Sequence, residues 1–380
     1  MPAALPLRLA LFYAAVFIVF GVRVPFWPPW LAARGLSAEE IGIVLAVTQW
    51  VGVAAAPMAG IAADRGGEPR RIMLMLSLAA AVGFLLCLPA TGFASLLVLS
   101  AATSGFFSAL MPLGDNVTLA AAYAGQLDYG RIRLCGSASF VVTVLLIGAL
   151  PEERPADLAL TLLIAASALT FLSCLSLPRG APALRQARPA NWRALTTPGF
   201  LIFLATATLV QGSHTIFYGF SVLHWQSIGI SSLTISLLWD EGVVVEILLF
   251  YWGARLLRRL GPIDLLVLAG GAGVLRWTVM AFATSVPVLA LAQLLHALTF
   301  AAAHLGAMHH LARTIPPEQG ATGQAVYAAI VGGIGPGLLM LGAGRLYADA
   351  GAHSYLAMAG LAAAGGLVAL WLRSLPRTKS

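Results

Sequence analysis

Residues 60–71 read GIAADRGGEPRR. This short segment holds Asp64, Arg65, Glu68, Arg70 and Arg71, yet it joins two runs, about 38–63 and 70–90, whose interiors carry no charge. At 1.5 Å per helical residue, each run is long enough to cross a hydrocarbon core of ~30 Å. A polar segment of this size connects membrane spans and cannot be a domain. Working outward from it, comparable runs recur at about 6–33, 93–121, 130–150, 157–178, 198–225, 231–255, 262–283, 286–311, 319–345 and 353–373. The sequence therefore predicts an all-α membrane protein of twelve transmembrane helices.

Composition supports the same class. The 380 residues are 59% hydrophobic and 10% charged, with a mean hydropathy of +0.89, whereas soluble domains carry roughly 25% charged residues. Continuous rather than alternating apolar runs exclude a β-barrel. The net charge of +7 is topological and implies no nucleic acid. With the N-terminus inside, Arg8, Arg65, Arg70, Arg71, Arg131, Arg133, Arg179, Arg185, Arg188, Arg193, Arg255, Arg258, Arg259, Arg313, Arg373, Arg377 and Lys379 fall on one side, and Arg34, Arg154 and Arg345 on the other. That asymmetry predicts that both termini are cytoplasmic. The run after Arg8 continues without a small-residue cleavage site and reads as the first span.

Several chemistries find no support. Cys87, Cys135 and Cys174 lie singly within spans, so they read as packing residues rather than a disulfide framework or metal cluster. The glycines of Gly332-Gly333-Ile334-Gly335-Pro336-Gly337 follow no strand, and close helix contact explains them better than a nucleotide loop. No Walker sequence, nucleophile elbow or HExxH motif is present. The sequence thus predicts no enzyme, no cofactor and no bound metal.

The longest polar connection contains PRGAPALRQARPANWR, residues 178–193. It predicts an N-terminal six-helix bundle over 1–178, a cytoplasmic linker over 179–197 and a C-terminal six-helix bundle over 198–380. Residues 60–67, GIAADRGG, have a weaker echo in 254–261, ARLLRRLG, half a chain later. Parallel six-span repeats with a ligand site at the midplane between them are a recurrent transporter design.

With these features in place, the loop GIAADRGGEPRR resembles the segment between spans two and three of the major facilitator superfamily. The resemblance implies a conformational latch formed by Gly60, Asp64, Arg65, Arg70 and Arg71. Physically, glycine permits a tight turn and Asp64 offers the arginines a partner, while simple positive-inside anchoring is the alternative. A narrower likeness lies in PFWPPWLAARGLS (25–37), PLGDN (112–116), DYGRIRLCGSASF (128–140), QGSHTIFYGFSVLHWQ (211–226), GVVVEILLF (242–250), LRWTVMAF (275–282) and QLLHALTFAAAHLGAM (293–308). These segments are similar to the phenylpropionate permease family, close to the lactose permease group. The likeness implies a multi-pass proton symporter of the bacterial inner membrane, best known for aromatic carboxylates. Its expected partners are protons, a small-molecule substrate and the lipid bilayer, and a monomer is expected.

Within the spans, ionisable groups are costly and mark function. Asp240, Glu241 and Glu246 sit in LWDEGVVVEILLF, residues 238–250. Helix rise puts Asp240 about 14 Å, Arg276 about 10 Å and His296 about 15 Å from the same membrane surface. The prediction is a network of Asp240 or Glu241 with Arg276 and His296, its rival being an ion cluster that only locks the helices. Arg276 and His296 resemble the arginine and histidine of the lactose permease coupling group. The glutamate expected one turn after that histidine is Thr299 here, so another carboxylate must serve. Asp240 and Glu241 are about 100° apart on a helix, and Glu246 is about 120° and 140° from them, so the three cannot share a face. One is expected to pair with Arg276 while another carries the proton, with Glu246 the first choice as carrier.

Candidate substrate residues are Arg23, Asp115, Arg133, Gln211, His214, Tyr218 and His304. Arg133 follows from the likeness of YGRIR to the lactose permease segment. Asp115 is either its partner or structural, and Arg131 reads as a helix-end anchor. Arg23 suits a carboxylate ligand, with snorkelling to the surface as the rival. Gln211, His214 and Tyr218 fall on one helical face beside Phe217 and Phe220, a setting for a small aromatic molecule with a polar end; Trp225 reads as an interface residue. His304 either faces the same cavity as His296 or bonds between helices. The functional expectation is proton-coupled symport of a small organic anion, an aromatic or arylalkyl carboxylate, by alternating access. The alternatives are a sugar, nucleoside or drug carrier of either direction, and a non-transporting receptor or structural protein that would tolerate loss of Glu246 and His296.

Overall fold

The computed structural model describes residues 4–66, 68–151, 153, 157–178, 195–257, 259–316 and 319–374. All regular structure among them is helical. The first seven helices are α1 Ala4–Ala33, α2 Ala38–Gly66, α3 Pro69–Leu86, α4 Phe93–Ser108, α5 Leu110–Tyr123, α6 Tyr129–Gly148 and α7 Leu158–Ser176. Next come α8 Pro198–Gly212, α9 Thr215–Ser227, α10 Ser232–Leu257, α11 Pro262–Phe282, α12 Val286–Leu294 and α13 Ala303–Thr314. The chain ends in α14 Gly320–Ala329, α15 Gly335–Ala350 and α16 Tyr355–Ser374.

Ten stretches of the described chain are long and apolar enough to cross a membrane. One of them, Thr322–Ser374, has 53 residues and contains a 3₁₀ turn at Gly351–Ser354. Helix α10, of 26 residues, falls outside this set because it carries Asp240, Glu241, Glu246 and Arg255. Large apolar side chains such as Leu146, Leu172, Leu291 and Leu367 are exposed on the helix surfaces, as a lipid environment requires.

Four runs that the sequence predicts as continuous helices are interrupted. Between α4 and α5 the ladder breaks at Ala109, where Pro112 has no N–H to offer the carbonyl of Ser108. Between α8 and α9 the turn at Ser213–His214 tightens, and side chains take up the released carbonyls. Ser213 Oγ donates to Val210 O at 2.7 Å, His214 Nδ1 lies 3.1 Å from Gln211 O, and Thr215 Oγ1 donates to Gly212 O at 2.6 Å. Such local repair makes a broken span tolerable in lipid. The other two breaks are π-turns at Ala297–Ala302 and Ile330–Ile334. The second immediately precedes Gly335-Pro336, where proline again removes a donor.

The chain divides into two compact units, Met1–Gln186 with Ser231–Ser236, and Ala187–Ile230 with Leu237–Ser380. Residues 179–194, with Arg179, Arg185, Arg188 and Arg193, lie outside the described residues. In the first unit α1 packs mainly on α6 and α7, and α3 on α4 and α7. In the second, α8 and α11 pack on α16, and α9 on α15. Both units thus pack their first span on their last two, and their third on their last. The α11–α16 contact is close because Gly270 faces Gly366, and a Cβ on Gly270 would lie 2.7 Å from the Gly366 Cα. Of the 332–337 glycines expected to make close contacts, a side chain on Gly335 would meet Thr208, whereas Gly332 faces open space. Cys87 and Cys174 are buried as packing residues, but Cys135 is exposed on α6, contrary to that expectation.

A polar clamp ties the ends of α1, α3 and α7. Arg34 donates to Asp157 at 2.6 Å and to the carbonyl of Leu88 at 3.2 Å, while Trp30 Nε1 donates to Asp157 at 3.1 Å. Partial desolvation favours protonation of Asp157, yet the hydrogen bonds from Trp30 and Arg34 and the charge of Arg34 outweigh it. They hold this carboxyl below its ordinary range.

Candidate functional site

The second unit carries a buried polar chain centred on Arg276 of α11. The guanidinium is fully buried and lies over the rings of Trp277 and Phe217, at 4.5 and 4.9 Å. Its Nη1 donates to Thr299 Oγ1 at 3.0 Å and meets His296 Nδ1 at 2.9 Å, and its Nη2 donates to Gln293 Oε1 at 2.7 Å. Guanidinium nitrogens only donate, so Nδ1 of His296 is the acceptor and Nε2 carries the hydrogen. That Nε2 lies 3.4 Å from Glu246 Oε2. The chain therefore runs from a cation through a neutral imidazole to a carboxylate. On the other side, His214 Nε2 lies 3.1 Å from Thr299 Oγ1. Because His214 Nδ1 faces a carbonyl, it bears the hydrogen, and the Thr299 hydroxyl donates to Nε2.

Local sequence explains the geometry. The π-turn begins directly after His296 and holds Thr299; π-bulges are frequent at functional sites. The face of α10 at Gly242 meets the His296 ring, which lies 3.5 Å from where a Cβ would stand, in ordinary contact. Glu246 is one turn beyond Gly242 on the same face of α10, whereas Glu241 is about 100° away and Asp240 about 160°. That angle corrects the predicted network. The carboxylate at His296 is Glu246, and neither Asp240 nor Glu241 pairs with Arg276 or His296 among the described residues. Asp240 is buried with both carboxyl oxygens unpartnered there.

The remaining candidates of this unit divide. His214 belongs to the chain, and the ring of Tyr218 stacks near it at 5.9 Å. Gln211 contributes its carbonyl, while its side-chain Oε1 is buried without a partner among the described residues. His304 makes ring contacts with Phe250 and Tyr327, at 6.1 and 6.4 Å, and does not join the Arg276 chain. Sequence reading missed Gln293, although a glutamine three residues before His296 must share its helical face. It also missed Ser213, which accepts from Trp277 Nε1 at 3.0 Å.

The first unit holds a second polar cluster. Asp115 Oδ1 accepts from Tyr13 at 2.5 Å and from Tyr129 at 3.0 Å, and lies 3.9 Å from Arg133 Nε. Arg133 also sits over the rings of Phe17 and Tyr13, at 4.5 and 5.6 Å. Asp115 and Arg133 are thus brought together, and the two tyrosines are additions that sequence reading did not make. Arg131 lies apart from them, exposed at 3.9 Å from Asp128. Arg23, half-buried in α1, makes no hydrogen bond or ion pair among the described residues. Helix rise puts it about 15 Å along α1 from Tyr13, so it does not join the Asp115 cluster.

At the predicted latch, Arg70 donates from Nε to Cys174 O at 3.3 Å and from Nη2 to Leu175 O at 2.9 Å, tying α3 to the end of α7. Arg65 and Arg71 are exposed and unpaired among the described residues. Gly60 lies within α2 rather than in a turn. The side chain of Asp64 lies outside the described set.

Residues 6–357 match the MFS_1 like family. The chain belongs to the MFS_1 like family. It is a major facilitator superfamily transporter with that superfamily's all-helical fold, a class of carriers rather than enzymes. The probable 3-phenylpropionic acid transporter of Escherichia coli (strain K12) is 34% identical over 376 residues, covering 96% of each chain. A maltose permease of Geobacillus stearothermophilus is 28% identical over 349 residues, 88% of this chain and 86% of the relative. The crystal structure of nucleoside transporter NupG shares the fold with a TM-score of 0.85 at 17% identity, covering 98% of this chain and all of that one. The protein is a multi-pass membrane transporter of a small molecule.

Proposed function

We propose that this transporter imports a small organic anion of the arylalkyl carboxylate class together with protons, by alternating access in a bacterial inner membrane with both termini cytoplasmic. The observation that carries the reading is the Arg276–His296–Glu246 chain. Arg276 keeps its proton, and its contacting groups His296, Thr299 and Gln293 are all neutral. With Glu246 ionised the chain has no net charge, and with Glu246 protonated it is left with one buried positive charge. A buried cation without its counter-ion favours an anion, so protonation of Glu246 prepares the transporter for a carboxylate. Uptake of the proton thereby precedes and promotes binding of substrate.

Arg23 supports the substrate class. It is a half-buried guanidinium in the middle of α1 with no acid paired to it among the described residues, and its planar fork suits a carboxylate. Rings beside the polar chain form a cluster that offers surface for an aryl group: Phe217 stacks on Trp239 at 4.7 Å, and Tyr218 meets Phe217 edge-on at 5.6 Å and Trp239 at a tilt at 6.0 Å. The name of the Escherichia coli relative agrees with that class. In this reading the Asp115–Arg133 pair contributes to substrate handling or coupling in the first unit, and Arg70, with Asp64 and Arg65, belongs to the latch.

The test uses purified protein in liposomes. Labelled 3-phenylpropionate should accumulate when an inward proton gradient is imposed. Glu246→Gln should abolish accumulation while exchange across the membrane continues. Normal concentration of substrate by Glu246→Gln would remove Glu246 as carrier. Competition by maltose or a nucleoside, with no competition by aryl acids, would replace the substrate class.

A further inference from the structure

Asp240 is a buried ionisable group that the Glu246 pathway does not use. It is 6% exposed, and neither carboxyl oxygen has a hydrogen-bond partner among the described residues. The adjacent indole Nε1 of Trp239 is likewise buried and unpaired. The other ionisable groups are engaged elsewhere or stand apart. Arg276, His296 and Glu246 bond to one another, and His214 bonds to Thr299 and Gln211. On α9, Tyr218 is held in ring stacking and His224 lies near its far end; on α11, Asp264 pairs with Arg373 at 2.9 Å. On α10 itself Glu241 is less buried than Asp240, and both it and Glu246 project at least about 100° away.

An ionised carboxylate without a donor is the least tolerable group in a dry interior, and it binds a proton instead. A purely structural acid would still keep a partner for its own O–H, because buried polar groups are almost always bonded. Asp240 keeps none among the described residues, which marks it as a group whose partner belongs to another stage of the cycle.

We infer that Asp240 is a second proton site, separate from Glu246, so that each transport cycle carries two protons. This rests on the symport reading above and changes its energetics. One proton with one carboxylate moves no net charge, and the membrane potential then contributes nothing. A second proton, bound to Asp240 from the outer water and released to the inner, makes the cycle carry one positive charge inward and places the substrate gradient under the potential.

The experiment uses reconstituted full-length protein, labelled 3-phenylpropionate and equal pH on both sides. Valinomycin and an outward potassium gradient of about hundredfold set an inside-negative potential. One net charge per cycle then permits about hundredfold accumulation by potential alone. A trapped pH indicator should count two protons per substrate in the wild type and one in Asp240→Asn, whose response to the potential should vanish. A wild-type count of one proton, or no potential-driven accumulation, overturns the inference without needing the variant. Asp240→Asn with a count of two overturns it as well. Absence of uptake under a pH gradient would instead overturn the symport reading itself.

Discussion

Thr299→Val tests the centre of the polar chain. The Thr299 hydroxyl accepts from Arg276 at 3.0 Å and donates toward His214 Nε2 at 3.1 Å. Valine keeps the shape and removes both bonds. Interhelical hydrogen bonds in membranes average about 0.6 kcal/mol and reach about 1.7. Leaving a buried donor or acceptor unsatisfied costs about 1–3 kcal/mol, more when it is charged. Here one orphan is a guanidinium N–H, although Nη1 retains His296, and the other is an imidazole nitrogen with no second partner. The expected loss is therefore about 2–4 kcal/mol. Thr299→Ser keeps the hydroxyl and loses one methyl, worth about 0.8 kcal/mol. Unfolding in detergent can be followed with a thiol-reactive dye, because Cys87 and Cys174 are buried and Cys135 supplies a constant exposed signal. Valine should unfold at clearly lower temperature than serine, and serine close to the wild type. Equal melting of the valine and serine variants would refute the reasoning, because the hydroxyl would then carry neither bond.

Two further outcomes follow from geometry elsewhere. Gly270→Ala sets a methyl 2.7 Å from the Gly366 Cα and 2.9 Å from the Ala362 carbonyl, backbone atoms that cannot swing aside. Overpacking of about 1–3 kcal/mol should exceed the roughly 1 kcal/mol gained in helix propensity, whereas Gly271→Ala, with nothing within 4 Å, should leave the melting temperature equal or higher. Asp157 has its proton affinity lowered in the folded protein, so its contribution to stability is whole above the ordinary aspartate value of about 3.9 and is lost as pH falls through the lower folded value. The melting difference between wild type and Asp157→Asn should accordingly shrink between about pH 5 and pH 3.

Much of this was legible in the chain because a membrane imposes one rule on every span. Apolar length alone predicts the helices, and level depth in the membrane predicts the meeting of Arg276 with His296, whereas Arg133 was legible through the likeness of YGRIR to the lactose permease segment, with Asp115 either its partner or structural. What escaped has a common cause. Depth along a helix does not fix azimuth, so level depth put Asp240 or Glu241 beside Arg276 and His296, where the structure places Glu246 instead. Tyr13, Tyr129 and Gln293 went unnoticed because uncharged polar residues do not stand out in an apolar run. The breaks at Ser213–His214 and the two π-turns leave no mark in hydropathy, since they alter hydrogen bonding without altering composition.

The partners of Arg276 also bear on how the protein is built. Gln293, His296 and Thr299 follow it by 17, 20 and 23 residues, in the next span to leave the ribosome. Until that span arrives, α11 presents a bare guanidinium to the translocon, a burden of about 2.5–3.5 kcal/mol at a helix centre. The two segments are best released into lipid as one hairpin, so the residues that neutralise the charge in the finished carrier also set the order in which its second half is assembled.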